Sequence, residues 1–166
     1  MKLTVIGCSG SYPGPDSAAS CYLLEAPYEG DIYRLLIDLG SGSLGPLQNY
    51  VALEQVNAIA LSHLHADHCL DLCGFYVVRK YHPGGHLGSI PVYGPSGTAE
   101  LIARAYDLEP DPGMRFEFDF HVYDGALVRL GPFVLQTTPV AHPVESYALA
   151  ISDGQHRIVY SGDTGP

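Results

Sequence analysis

The sequence contains few basic residues. Eight lysines and arginines stand against eighteen aspartates and glutamates, which gives a formal net charge of −10 at pH 7. A protein that holds a nucleic acid along an extended surface needs many positive side chains to neutralise the phosphates. The charge balance therefore argues against extended nucleic-acid binding, although a local pocket or bound cations could still accept a single phosphate group.

Cysteines and long apolar runs are also scarce. The four cysteines form no C-x-x-C pair, and a chain of 166 residues with 46% hydrophobic residues is too large and too apolar for a disulfide scaffold. No stretch approaches the roughly 20 apolar residues of a membrane span, and the apolar start of the chain is shorter than the ~7–15 residues of a signal-peptide core. We therefore expect one cytoplasmic domain over residues 1–166, with reduced thiols and no membrane partner.

Short alternating elements organise the chain. Nineteen glycines and thirteen prolines are scattered along it, and they separate segments whose apolar spacing is helical or strand-like. The predicted helices are residues 45–56, 68–81 and 98–108. The predicted strands are residues 3–8, 21–26, 33–40, 57–62 and 90–95, then 115–124, 126–130, 133–140, 147–151 and 157–163. This order predicts an α/β protein with mixed sheets and outer helices, which binds ligands at the carboxyl ends of its strands.

Three of the eight histidines and an aspartate fall within six consecutive positions, directly after a predicted strand. His63 and His65 lie two residues apart on an extended segment, so their side chains point to the same side and can converge on one cation. Asp67 and His68 begin the next helix and face a different direction, where they could hold a second metal ion. A lone histidine at a strand end is usually a surface residue and a lone aspartate a helix cap, but this combination indicates metal binding.

Three further residues stand at positions suited to the same site. His142 lies in a proline-flanked loop between strands, where by itself it would be an ordinary loop residue. Asp163 ends an apolar strand, and a carboxylate there could bridge two cations. Asp38 also ends an apolar strand and is placed to accept the outer N–H of a histidine that binds metal.

Together these motifs resemble the metallo-β-lactamase superfamily. The resemblance rests on H-x-H-x-D-H at residues 63–68, an upstream Asp38, a downstream His142 and a strand-ending SGDT that contains Asp163. It runs in order over nearly the whole chain. The segments LSHLHADHCLDLCG, VYGPSG and YSGDTGP look most like the ribonuclease Z and cyclic-nucleotide phosphodiesterase branch. The resemblance implies the four-layer αββα sandwich of the metallo-β-lactamase fold.

The resemblance also implies the ligands of two divalent metal ions. The first ion would be held by three histidines, His63, His65 and His142. The second would be held by Asp67 and His68, and Asp163 would bridge the two ions. Zinc is the favoured ion, and Mn²⁺ or Fe²⁺ also suits imidazole and carboxylate ligands.

The end of the sequence departs from the family pattern. The family normally supplies a further histidine to the second ion from a segment after the bridging aspartate, followed by another strand and helix. The sequence stops at Pro166, three residues after Asp163. We therefore expect a fragment of a longer protein that lacks the C-terminal strand and helix of the fold and has an incomplete second metal site.

The reaction that the resemblance favours is metal-assisted hydrolysis of a phosphodiester. Two cations would lower the pKa of a bound water and give the hydroxide that attacks phosphorus, while Asp67 would orient this nucleophile and accept its proton. The stretch from Cys69 to Ala141 contains no Gly/Lys-rich insertion of the kind with which ribonuclease Z grips transfer RNA. A small cyclic nucleotide of the cyclic AMP type is therefore the favoured substrate, and ribonuclease Z-like tRNA 3′ processing is the alternative.

Other interpretations stay open at this point. Thiolesters, sulfate esters and β-lactams are also substrates within the superfamily, and a truncated domain could bind metal or a partner without turnover. The expected partner is a small phosphodiester, with extended nucleic acid less favoured, and the sequence leaves a homodimer open.

Overall fold

Two β-sheets form the framework of the computed structural model, which describes residues 1–165. The first sheet has six strands in the order β1-β2-β3-β4-β5-β6. Their bounds are β1 (Lys2–Gly7), β2 (Cys21–Tyr28), β3 (Asp31–Ile37), β4 (Ala58–Ala60), β5 (Ile90–Gly94) and β6 (Phe118–Val122). The first three strands pair antiparallel, whereas β3 to β6 pair in parallel.

The second sheet has four antiparallel strands in the order β10-β9-β8-β7. Their bounds are β7 (Val128–Leu130), β8 (Phe133–Pro139), β9 (Tyr147–Ser152) and β10 (Arg157–Tyr160). The strands predicted for the second half of the sequence are thus present, but the predicted start at residue 115 is wrong, and so is the predicted end at residue 163, because β10 ends at Tyr160 and Asp163 lies in the loop after it. Strand β6 begins only at Phe118, because the chain turns before it and the amides of Glu117 and Phe118 both donate to the carbonyl of Met114.

Four helices and a single 3-10 turn connect the strands within the described residues. Their bounds are α1 (Leu44–Leu47), the 3-10 turn (Leu53–Gln55), α2 (Ala66–Cys69), α3 (Leu72–Lys80) and α4 (Thr98–Ala105). None of these helices of residues 1–165 has the length and apolarity that crossing a membrane requires.

The helix predicted over residues 45–56 is wrong, because the structure has the short α1 and a separate 3-10 turn there. Val51 and Leu53 are both buried. Two residues separated by two positions on an α-helix point about 200° apart. A single helix could not bury both side chains against one sheet, so the chain turns between α1 and Leu53.

The helix predicted over residues 68–81 is interrupted, and its two parts are α2 and α3. Asp71 lies at the interruption, and its carboxylate accepts hydrogen bonds from the backbone amides of Gly42 (3.1 Å) and Leu44 (2.8 Å). The same loop is tied to α2 by a hydrogen bond from the amide of Leu39 to the carbonyl of His68 (2.8 Å). Because the helix is interrupted at Asp71, this residue can form hydrogen bonds with the loop that precedes α1.

Apolar side chains pack on both faces of the first sheet. Leu36 belongs to a buried cluster between this sheet and the helices, together with Phe75 of α3. Its neighbour Leu35 points to the opposite face, as alternation along a strand requires, and packs with Leu135 of the second sheet. Buried apolar residues of all four helices lie in the first cluster. The described residues therefore build three layers of the predicted αββα sandwich: helices, six-stranded sheet and four-stranded sheet.

The parallel pairing of β3, β4 and β5 brings their carboxyl ends to one edge of the sheet. Asp38 follows β3 directly, and the segment from Leu61 to His68 follows β4. Ligand sites of open α/β sheets lie at this edge. The fold thus collects the chemically distinctive residues at the place where a ligand is expected.

Candidate metal centre

The histidine cluster begins where β4 ends. His63 is fully buried, and His65 precedes α2 in an extended backbone conformation with φ −69° and ψ 150°. Leu64 lies between them and packs against the apolar core. The two imidazoles lie side by side, with 4.8 Å between the ring centroids.

Three imidazole nitrogens converge at what we call the three-histidine position. Nδ1 of His65 lies 3.2 Å from Nε2 of His63 and 3.1 Å from Nε2 of His142. Zinc–nitrogen bonds of about 2.0–2.1 Å in a tetrahedral arrangement separate neighbouring ligand atoms by roughly 3.3 Å. The three nitrogens therefore have the spacing of ligands around one metal ion.

Backbone hydrogen bonds bring His142 to the cluster. It lies in the loop between β8 and β9, which is closed by a hydrogen bond from the amide of Val140 to the carbonyl of Ser146 (3.0 Å). The amide of Tyr147 then donates to the carbonyl of Ser62 (3.0 Å). These bonds attach a loop of the second sheet to the end of β4, and so a residue far away in sequence reaches the first two histidines.

Asp67, His68 and Asp163 form a second group, which we call the carboxylate position. Nε2 of His68 lies 3.4 Å from Oδ2 of Asp67 and 3.4 Å from Oδ1 of Asp163. The other carboxylate oxygen of Asp163 lies 4.0 Å from Nε2 of His63. Asp163 thus lies between the two positions, where its two oxygens face one group each.

Asp38 contacts the side of the His68 ring that faces away from the carboxylate position. The aspartate is fully buried, and its Oδ2 lies 2.6 Å from Nδ1 of His68. The same carboxylate accepts hydrogen bonds from the amide (2.6 Å) and hydroxyl (2.8 Å) of Ser62 and from the hydroxyl of Tyr160 (2.8 Å). Asp38 has φ +56°, which is uncommon for a residue other than glycine, and these hydrogen bonds stabilise that conformation.

Burial and neighbouring charges affect two of the histidines in opposite ways. Burial, followed by the charge of His68, lowers the pKa of His63 to about 4. For His68, burial acts to lower the pKa, but the hydrogen bond and charge of Asp38, with smaller effects of Asp67 and Asp163, outweigh it and raise the pKa. Neutral imidazole is the form that binds a metal ion, so His63 is in its ligand form at neutral pH.

Two residues of this cluster gave no signal of their own in the sequence. Ser62 and Tyr160 both donate to Asp38, and neither was among the predicted site residues. Ser62 directly precedes the H-x-H motif, and Tyr160 ends β10 three residues before Asp163. Only their closeness in sequence to the predicted ligands could have indicated that they belong to the site.

Two glycines allow close approaches at the carboxylate position. A Cβ atom at Gly40 would lie 1.9 Å from the carbonyl oxygen of Asp67. A Cβ atom at Gly162, which has φ +58°, would lie 2.9 Å from the Cβ of Ser62. Side chains at these positions would displace the backbone that carries Asp67 and Asp163.

The donor set suits a divalent transition metal. Imidazole and carboxylate ligands together fit Zn²⁺, and they also fit Mn²⁺ and Fe²⁺. The structure brings all the predicted ligands and Asp38 into one cluster. Those residues are His63, His65, Asp67, His68, His142, Asp163 and Asp38.

Comparison with known sequences agrees with this geometry. The metallo-beta-lactamase superfamily profile matches residues 14–166. An uncharacterized protein of Mycobacterium leprae is 46% identical over 99% of this chain and 58% of its own length. The probable metallo-hydrolase YhfI of Bacillus subtilis is 34% identical over 99% of this chain and 64% of its own length. The chain thus spans less than two thirds of either relative.

Solved structures have the same architecture. The crystal structure of YhfI superposes with a TM-score of 0.81 at 30% identity, over 97% of this chain and 62% of that one. The short form of human tRNase Z superposes with a TM-score of 0.75 at 22% identity, over 98% of this chain and 69% of that one. The chain belongs to the metallo-β-lactamase superfamily.

Proposed function

We propose that this chain carries the metal centre of a hydrolase that cleaves phosphodiester bonds, with a cyclic nucleotide of the cyclic AMP type as the favoured substrate. The observation that carries the proposal is the position of Asp163, which faces both His63 and His68. Two adjacent metal positions that share a carboxylate suit the displacement of one oxygen by another at phosphorus. The similarity to YhfI, described as a probable metallo-hydrolase, supports hydrolysis.

Each group of side chains has its own task in this proposal. The three-histidine position would hold one ion, and the carboxylate position would hold the other, with zinc favoured over manganese and iron. When bound, the ions supply positive charge for the phosphodiester oxygens and lower the pKa of water. Asp67, whose side chain is largely buried beside His68, would orient the attacking water and accept its proton at a carboxylate oxygen.

The placement of positive side chains supports a small substrate. Arg79 is buried and so adds no charge to a binding surface. Lys2 pairs with Glu25 at 2.6 Å, and Arg115 pairs with Glu100 at 3.0 Å. Even two bound divalent cations would leave the chain with net negative charge. A cyclic nucleotide has one phosphodiester charge, which a metal centre can neutralise without an extended basic surface.

Processing of tRNA 3′ ends is the second candidate. The observation that favours it is the similarity of the fold to human tRNase Z. Proteins of one fold act on several classes of substrate, so the similarity of fold supports tRNA processing less strongly than the charge distribution supports a small substrate.

Parallel assays of the full-length protein loaded with zinc or manganese separate these candidates. We expect turnover of cyclic AMP that changes little between about 50 and about 200 mM salt, and slow cleavage of precursor tRNA. Salt-sensitive RNA cleavage without turnover of cyclic nucleotides would favour the second candidate. A protein that binds metal but hydrolyses neither substrate faster than its Asp67→Asn variant would favour a binding domain without turnover.

A further inference from the structure

We propose that Ser62 is a positioning residue that fixes the proton of His63 on Nδ1 and so presents Nε2 of that ring to the three-histidine position. The hydroxyl of Ser62 lies 2.8 Å from Oδ2 of Asp38 and 3.1 Å from Nδ1 of His63. Asp38 in turn contacts His68 of the other position. The proposal rests on metal binding at this centre but not on the identity of the substrate.

The direction of each hydrogen bond follows from the number of protons available. The carboxylate of Asp38 accepts from the amide and hydroxyl of Ser62 and from the hydroxyl of Tyr160, and a carboxylate oxygen has no proton to give in return. The single hydroxyl proton of Ser62 must therefore point to Asp38. The oxygen of Ser62 can then only accept from the ring of His63, which requires the proton of that ring to be on Nδ1.

This arrangement leaves the correct atom of His63 free for metal. With the proton on Nδ1, the lone pair of Nε2 faces His65 and Asp163. The same reasoning places the proton of His68 on Nδ1, because that atom lies 2.6 Å from Asp38, and leaves Nε2 toward Asp67 and Asp163. Ser62 and Asp38 together therefore present one Nε2 lone pair to each metal position.

The carboxylate of Asp38 is the point at which the hydrogen bonds from the His63 side and the His68 side meet. One continuous path of hydrogen bonds runs from His63 through Ser62 and Asp38 to His68. All four side chains are buried, with at most 1% of their surface exposed, so water does not replace a lost partner easily. Loss of such an outer partner typically weakens metal binding by about 10- to 100-fold.

The test compares Ser62→Ala with a matched control. Ser43 is equally buried, and within residues 1–165 its hydroxyl forms no hydrogen bond to Asp38 or to a histidine, so Ser43→Ala makes the same chemical change outside the network. Zinc affinity of the full-length proteins is measured by competition with a chelator. We expect Ser62→Ala to weaken the binding of one ion by about 10- to 100-fold and Ser43→Ala to have no such effect.

A second readout does not depend on metal or on activity. Long-range ¹H–¹⁵N NMR spectra of the metal-free protein report which ring nitrogen of each histidine carries the proton, and the His63→Gln protein assigns the signal. We expect both His63 and His68 of the unmodified protein to be protonated on Nδ1. In Ser62→Ala, His63 should become a mixture of both tautomers while His68 stays unchanged.

Several results would overturn the proposal. A proton on Nε2 of His63 in the unmodified protein would contradict it directly, whatever the variants do. Unchanged zinc affinity and an unchanged tautomer in Ser62→Ala would also contradict it. Equal losses of affinity in Ser62→Ala and Ser43→Ala would show that the effect comes from packing rather than from the hydroxyl.

Discussion

The three-histidine position and the carboxylate position differ in how closely their ligand atoms approach one another and in how far they are exposed. At the three-histidine position, Nδ1 of His65 lies within 3.2 Å of both other ligand nitrogens, and His63 is fully buried. At the carboxylate position the contacts to His68 are 3.4 Å long, and the side chain of Asp163 is 46% exposed. The first position is set by backbone hydrogen bonds between the two sheets, whereas the second depends on the loop after β10. We therefore expect the three-histidine position to bind its ion more tightly.

The largest effect is expected where the two positions meet. His63 contributes to the three-histidine group and also faces Asp163, so the double change His63→Ala, His65→Ala should abolish binding of both ions and all hydrolysis. Elemental analysis of the purified protein measures this. The matched control replaces the exposed His121 and His156, which pair with acidic residues elsewhere. Retention of both ions by the cluster variant would contradict the assignment.

A change at Asp163 should separate the positions. Asp163→Asn removes the charge that faces both groups, and we expect the second ion to be lost while the first stays bound. Calorimetric titration with zinc should then show about one site in place of two. Asp119→Asn is the control, because Asp119 is an exposed carboxylate paired with His121. Loss of both ions together would mean that the positions are a single site.

A smaller effect should follow from a change at Gly40, which lies close to the backbone of Asp67. A methyl group at Gly40 would meet the carbonyl oxygen of Asp67, so Gly40→Ala should cost about 1–3 kcal/mol of stability and weaken only the second ion. Thermal unfolding and zinc titration measure the two effects. Gly45→Ala is the control, since a Cβ there meets no atom within 4 Å. Equal behaviour of the two variants would show that the approach at Gly40 does not shape the site.

The last prediction concerns the pH dependence of stability and involves no bound metal ion. The folded metal-free protein protonates His63 only near pH 4, whereas an unfolded chain takes up that proton near the ordinary pKa of 6.5. This group therefore lowers the free energy of unfolding as the pH falls from about 6.5 to about 4. The decrease, measured by urea unfolding after metal removal, should be smaller in His63→Gln and unchanged in His121→Gln. An identical pH dependence in all three proteins would show that the environment of His63 does not differ from water.

The sequence predicted which side chains come together better than it predicted the bounds of the helices. The spacing of H-x-H constrains two side chains through the short segment that follows β4, and a carboxylate directly after a strand has a fixed place in a parallel sheet. Helix boundaries depended on packing that is not local: Val51 and Leu53 are both buried only because the chain turns between them. Asp71 likewise interrupts a helix to bind a loop that is distant in sequence.

The partners of Asp38 could not be read from the sequence for a related reason. Ser62 follows β4 and Tyr160 ends β10, and these strands belong to different sheets, so only the packing of those sheets brings both hydroxyls to one carboxylate. A serine or tyrosine has many structural uses, so residue type alone did not mark either one. The proximity of His63 and His65 follows from local backbone geometry, whereas the approach of His142 and the hydrogen bonds to Asp38 follow from tertiary structure.

Anomalous diffraction at the zinc absorption edge, from crystals of the full-length protein grown with zinc, tests the central claim most directly. We predict two peaks about 3.5–4 Å apart, the stronger one among His63, His65 and His142 and the weaker one between His68 and Asp163. A single peak, a peak outside this cluster, or stronger occupancy at the carboxylate position would contradict the account of two adjacent positions of unequal affinity.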